Sequence, residues 1–292
     1  MNKQGFNKKS LGEQVNEVRM SSMSKADKCK ALIKLGFTAY ECEFVLRDNQ
    51  PKFEFTFGVE IECLMMRTRF VERANANGMA YQYQGYNHND TRSYYKFVSD
   101  GSIIGADGIE CVSPILEGSD EGFRSLENCC NTLNQAGAKV NRSTGLHVHI
   151  GISGLTDKWF INIFMNYQKL ERVIDTFMAP SRRGDNNTYC RSLIGYNFGF
   201  ACSTIADVQR KLNSRYFKVN PVSVNRHGTI EFRQHQGSTD YEKISNWVRF
   251  CAKLVEWSGK NVLDREVTSI DQIPFLTDSE KDFFKRRAQT LR

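Results

Sequence analysis

The chain has 292 residues, of which 40% are hydrophobic and 25% charged, and a formal net charge of +7. That is enough apolar material for one large domain or two modest ones. The positive charge is moderate and scattered, which argues against a dedicated nucleic-acid binder. No apolar run approaches the roughly 20 residues of a membrane helix, and the polar, basic "MNKQGFNKKSLGEQ" is no secretory leader. A cytoplasmic protein is the simplest reading.

Residues 1–50 are expected to form a small helical hairpin. "SKADKCKALIKLGF" reads as a helix with Ser24 as N-cap and Gly36 as stop signal. "TAYECEFVLRDN" reads as a second, with Thr38 capping and Glu41 three residues on. The hairpin either docks on the main domain or forms half of a helix-turn-helix with a weak nucleic-acid role. Pro51 in "NQPKF" marks the start of a main domain over 51–260.

"FEFTFGVEIECLM" alternates as a strand. A polar, aromatic-rich stretch then leads to a strand near Tyr94–Val98, and "GIECVSPIL" is another. "EGFRSLENCCNTLNQAGA" has helical spacing and ends at Gly137. "GLHVHIG" is a strand and "DKWFINIFMNYQKLERVIDTFM" a long amphipathic helix. A short helix is expected near 204–214, and "RYFKVNPVSVNRHGTIEFRQHQG" carries two strands. "DYEKISNWVRFCAKLVEWSG" is a helix, and the tail, 261–292, is helical. The pattern is α+β with a mainly antiparallel sheet. Nine cysteines without a CxxC fit reduced thiols better than disulfides or a zinc ribbon.

Successive strand side chains point to opposite faces. Glu60 and Glu62 therefore share a face, as do His147 and His149, and as do Glu231, Arg233 and His235. A solvated face explains any one strand. Together they place carboxylates, imidazoles and a guanidinium on one surface, where like charges two residues apart repel unless a cation intervenes. Such a set suits Mg²⁺ or Mn²⁺ bridging to phosphate, with arginine as a bidentate phosphate contact. It also suits a hydrolytic Zn²⁺, although no HExxH accompanies it. Walker, Rossmann and nucleophile-elbow motifs are absent.

The ordered set "FGVEIE", "SDGSI…GIECVSPIL", "GLHVHIG" and "RYFKVNP…GTIEFRQHQGSTDYEKISNWVRF" resembles the amidoligase family, over roughly 55–257. That family is grouped with the glutamine synthetase and glutamate–cysteine ligase superfamily of carboxylate–amine ligases. The resemblance implies a mainly antiparallel sheet funnel with helices packed on one face. It also implies ATP- and Mg²⁺-dependent (or Mn²⁺-dependent) amide formation through an acyl phosphate. Glu60, Glu62, Glu110, His147 and Glu231 match metal ligands, with His147 or His149 ligating or contacting phosphate and the other orienting substrate. Arg233 matches a phosphate contact, and Arg215 and Asn220 match contacts to ATP phosphate or a substrate carboxylate. Asp100 and Ser102 match an element that reaches the substrate.

The implied substrates are a small-molecule or peptide carboxylate, such as a peptidoglycan-like fragment, and an amine. An oligomer is compatible with the family. His88 and His227 are expected in solvated loops, and "SRRGDNN" either meets an acidic ligand or is solvated. The alternatives to the ligase are a binding or scaffold protein of the same fold, or a metal-dependent hydrolase.

Overall fold

The computed structural model describes residues 11–21, 23–38, 42, 46 and 56–291. The chain divides into two compact units, 1–52 and 53–292, each described by itself.

In the first unit, α1 (Leu11–Met20) and α2 (Lys25–Lys34) are helical. Ser24 caps α2 as its sequence position dictates, its hydroxyl accepting from the Asp27 amide at 3.2 Å. Gly36 closes the helix with φ 101°. Helix α1 has no strong apolar stripe, which is why the sequence reads as a polar lead there. The second helix expected over 38–49 lies largely outside the described residues.

The second unit is built on one eight-stranded open sheet. Its strands are β1 (Thr56–Leu64), β2 (Tyr81–Tyr83), β3 (Tyr95–Val98), β4 (Gly108–Val112), β5 (Leu116–Glu117), β6 (Gly145–Gly151), β7 (Val219–Asn220) and β8 (Thr229–Gln236). The order is β2-β3-β4-β1-β6-β8-β7, with β5 continuing alongside β1. Every pairing is antiparallel except β2 with β3. The unit is therefore α+β with a mainly antiparallel sheet.

The helices are α3 (Arg67–Ala76), α4 (Asp120–Gln135), α5 (Asp157–Thr176), α6 (Ile205–Leu212), α7 (Ser223–His227), α8 (Tyr241–Ser258) and α9 (Asp278–Thr290). Those against the sheet cover one face. Phe57 of β1 stacks on Phe123 of α4, Phe97 of β3 meets Phe70 of α3, and Phe232 of β8 meets Tyr167 of α5. Val59, Ile61, Cys111, Leu146, Val148 and Ile150 fill this interface and are buried. This apolar burial is the main source of stability. Tyr81 and Tyr83 join it edge-on to Phe70, so they are packing residues. The opposite face is left to polar side chains. Among the described residues, no helix is long and apolar enough to cross a membrane.

Candidate active site

Antiparallel register decides which polar residues meet. Glu60 of β1 lies opposite His147 of β6, Glu62 opposite Glu110 of β4, and His149 opposite Glu231 of β8. Residues directly opposite share a face, so four strands deliver their charged side chains to one patch.

His147 is the hub. Its Nδ1 is 2.8 Å from Glu60 Oε2 and 3.5 Å from Glu231 Oε1, and its Nε2 is 3.7 Å from Glu62 Oε1. Among the described residues, two groups have ligand atoms within 4.8 Å of one another: Glu60–His147–Glu231 and Glu62–Glu110–His147. These are hard oxygen donors with one imidazole, the set that suits Mg²⁺ or Mn²⁺. A neutral imidazole has a single acceptor nitrogen. His147 therefore completes one group, and its opposite N–H orients a carboxylate of the other.

Glu62 and Glu231 are braced. The Gly145 amide donates to Glu62 Oε2 at 2.6 Å. The Asn220 amide donates to Glu231 Oε2 at 2.5 Å, and Arg233 Nη1 donates to Glu231 Oε1. His149 Nδ1 is fixed by Thr229 Oγ1 at 2.8 Å. His149 Nε2 is buried, makes no aligned hydrogen bond, and lies 3.4 Å from Glu60 Oε1.

The electrostatics follow from this packing. Burial opposes charge on Glu60, but the His147 hydrogen bond and the imidazole of His149 beside it outweigh this and hold the carboxyl well below its usual range. Glu231 is likewise lowered, burial being overcome by Arg233. Glu110 has no such partner: burial, then the charges of Glu60, Glu62, Asp100 and Glu231, push it well above the usual range. A cation would relieve that repulsion, so the donor chemistry and the charge balance both fit a divalent ion.

The sequence-derived residues fall into two sets. Glu60, Glu62, Glu110, His147, His149, Glu231 and Arg233 come together. Asn220 reaches the cluster but commits its amide to Glu231. Arg215 sits at the rim: it is exposed, donates to the Tyr216 hydroxyl at 3.3 Å, and lies 5.1 Å from the centre of that ring, which Arg233 approaches at 5.9 Å. Asp100 accepts from the Ser102 amide in a turn at the end of β3. Arg182 is buried and donates to Thr144 O at 2.7 Å, and Arg183 donates to Met178 O and Leu291 O, so both fix backbone.

His235 departs from the alternation. A register shift between β6 and β8, between Leu146 and Val148 on β6, turns His235 to the helix side, which Gln234 already faces by alternation. His235 there faces Trp247 and Arg287.

A cleft of about 350 Å³ runs outward from Glu60, Glu110 and His149. Its walls are loop 87–92, Ser113–Ile115 and His227–Thr229. Sequence reasoning missed Lys96, whose buried ammonium holds Asn87 Oδ1 at 3.0 Å and Asn89 O at 2.6 Å, fastening that loop over the sheet. The signal was present: Lys96 lies between Tyr95 and Phe97 and pairs with Val112. His88 and His227 also line this cleft, and no local signal put them there.

A helix-backed sheet thus gathers buried carboxylates, a hub histidine and a paired arginine on one face, a donor set that fits a divalent cation. Residues 54–194 and 201–255 match the family model described as "Putative amidoligase enzyme". The chain belongs to that family, and the ligase class of the enzyme rests on that match. No curated protein matches the chain.

Proposed function

We propose that the protein is an ATP- and Mg²⁺- (or Mn²⁺-) dependent carboxylate–amine ligase working through an acyl phosphate. The observation that carries this reading is the pair of overlapping ligand groups around His147, with Arg233 bonded to one of their carboxylates. In this reading the polar sheet face serves as the funnel of glutamine synthetase-like enzymes, and residues 51–260 form the catalytic segment. Residues 1–50 and 261–292 flank it.

A divalent cation bound with ATP supplies charge neutralisation on the transferred phosphoryl group. Glu60, His147 and Glu231 would hold one ion, and Glu62 with Glu110 a second. The substrate carboxylate takes the phosphoryl group in line, and an amine then displaces phosphate. Arg233 stabilises the phosphoryl oxygens as charge shifts onto them; its Nε bond to Tyr189 O at 3.2 Å and its Glu231 contact keep the guanidinium fixed. Arg215 at the rim meets the outer phosphates or the substrate carboxylate, and His149 orients the acid. The substrates are a small-molecule or peptide carboxylate and an amine, handled in the cytoplasm.

Thermal denaturation tests this directly. Ligands that bind only the folded state raise the melting temperature by mass action, about 2.7 kcal/mol at a hundredfold excess over Kd. MgATP is expected to raise it by roughly 5 °C in the wild type, and by far less in Glu60→Gln or Glu62→Gln. No shift with ATP and either cation in a folded wild type would defeat the reading.

A further inference from the structure

The cleft wall holds a second pair of titratable groups, next to His149 and outside the group of clustered carboxylates. His227 is the last residue of α7, and Gly228 (φ 62°) turns the chain straight into β8. That turn holds the His227 ring edge-to-face against His149, centroids 5.7 Å apart. Its Nδ1 is 2.8 Å from Asp90 Oδ1. Asp90 is in turn placed by the loop that Lys96 fastens through Asn87 and Asn89. Both His227 and Asp90 line the cleft that begins at Glu60 and Glu110.

A carboxylate on Nδ1 fixes the N–H there and leaves the lone pair on Nε2. An oriented imidazole of this kind is suited to taking a proton from an attacking nucleophile. His149 is not free for that task, with Nδ1 on Thr229 and Nε2 beside Glu60.

We infer that His227, oriented by Asp90, is the base for the amine substrate, and that this part of the cleft takes a primary amine. The inference rests on the ligase reading and assigns its acceptor side. The amine lone pair forms the C–N bond to the acyl phosphate carbon. The C–O bond to phosphate breaks, and phosphate leaves with the electron pair. The ammonium first gives one proton to His227, which frees that lone pair for attack; the departing phosphate takes the second N–H proton, and Asp90 pairs the imidazolium charge.

The test compares two acceptors, with MgATP and a pool of free amino acids and dipeptides as the acid. Methylamine is an ammonium at neutral pH and needs a base. Hydroxylamine is largely unprotonated and needs it far less. Mass spectrometry reads amide and hydroxamate products. His227→Gln and Asp90→Asn are expected to lower the amide-to-hydroxamate ratio about 100-fold. Asp90 is half exposed, with 49% of its side chain accessible, so its variant keeps the fold. Equal loss of both products, or loss of neither, overturns the base assignment and leaves the ligase standing. No hydroxamate from the wild type overturns the ligase reading and this inference with it.

Discussion

At the scale of single residues, the site is a set of buried charges that hold one another. Glu231 has one oxygen on Arg233 and the other on Asn220, and both Glu231 and Arg233 are buried. Removing one partner of such a pair leaves the other unpaired in low dielectric, which is far worse than removing both. Arg233→Ala is therefore expected to lower stability by about 3 kcal/mol, read from denaturant titration. An unchanged midpoint would show that water replaces the guanidinium freely. The identities of these residues were legible in the sequence because alternation assigns a face to each strand residue. Their division of labour was not. Asn220 as a brace for Glu231, and Arg215 held outside on Tyr216, are set by contacts between β7, β8 and the segment before them, and no spacing rule encodes those.

At the scale of elements, register carries the chemistry, and small residues protect it. Gly145 opens β6 with its amide on Glu62. A Cβ there would meet His147 Nε2 and Arg182 Nη2, each at 3.2 Å. That is tight enough to displace the histidine and mild enough to leave the strand intact. Gly145→Ala is expected to weaken Mn²⁺ binding at least about tenfold by titration calorimetry, with a stability loss near 1 kcal/mol. Unaltered Mn²⁺ affinity would mean that His147 has no part in holding the ion. Period-two reading works for β1, β4 and β6 because each is regular. It fails at His235, because the bulge on β8 inserts a residue that no pattern announces. It also fails at Asp90 and His227, which belong to a loop and a one-turn helix placed by Lys96 and Gly228.

At the scale of the whole second unit, the C-terminal segment completes the fold. Phe284 of α9 packs on Phe177, Lys253 of α8 pairs with Glu280, and Arg287 donates to Phe177 O. The sequence identified this tail as helical but could not say what it covers, since strand order and helix docking arise from long-range contacts. What it covers includes His235. That imidazole faces Trp247 and Arg287, with its Nδ1 on Gln236 O, and Arg182 and Lys243 add positive charge nearby. Burial, then the Arg287 charge, hold its pKa well below the ordinary 6.5. The unfolded chain takes up a proton near 6.5 while the folded protein does not. Stability from this group is thus fully present above 6.5 and falls as pH drops toward the folded-state value, by about 1.4 kcal/mol for each unit. His235→Gln has nothing to protonate there. Its stability, measured by urea unfolding between pH 7.5 and 5, should fall less steeply than that of the wild type. Parallel slopes for the two proteins would mean that the imidazole is charged in the folded state, and that the tail tolerates a cation against Arg287.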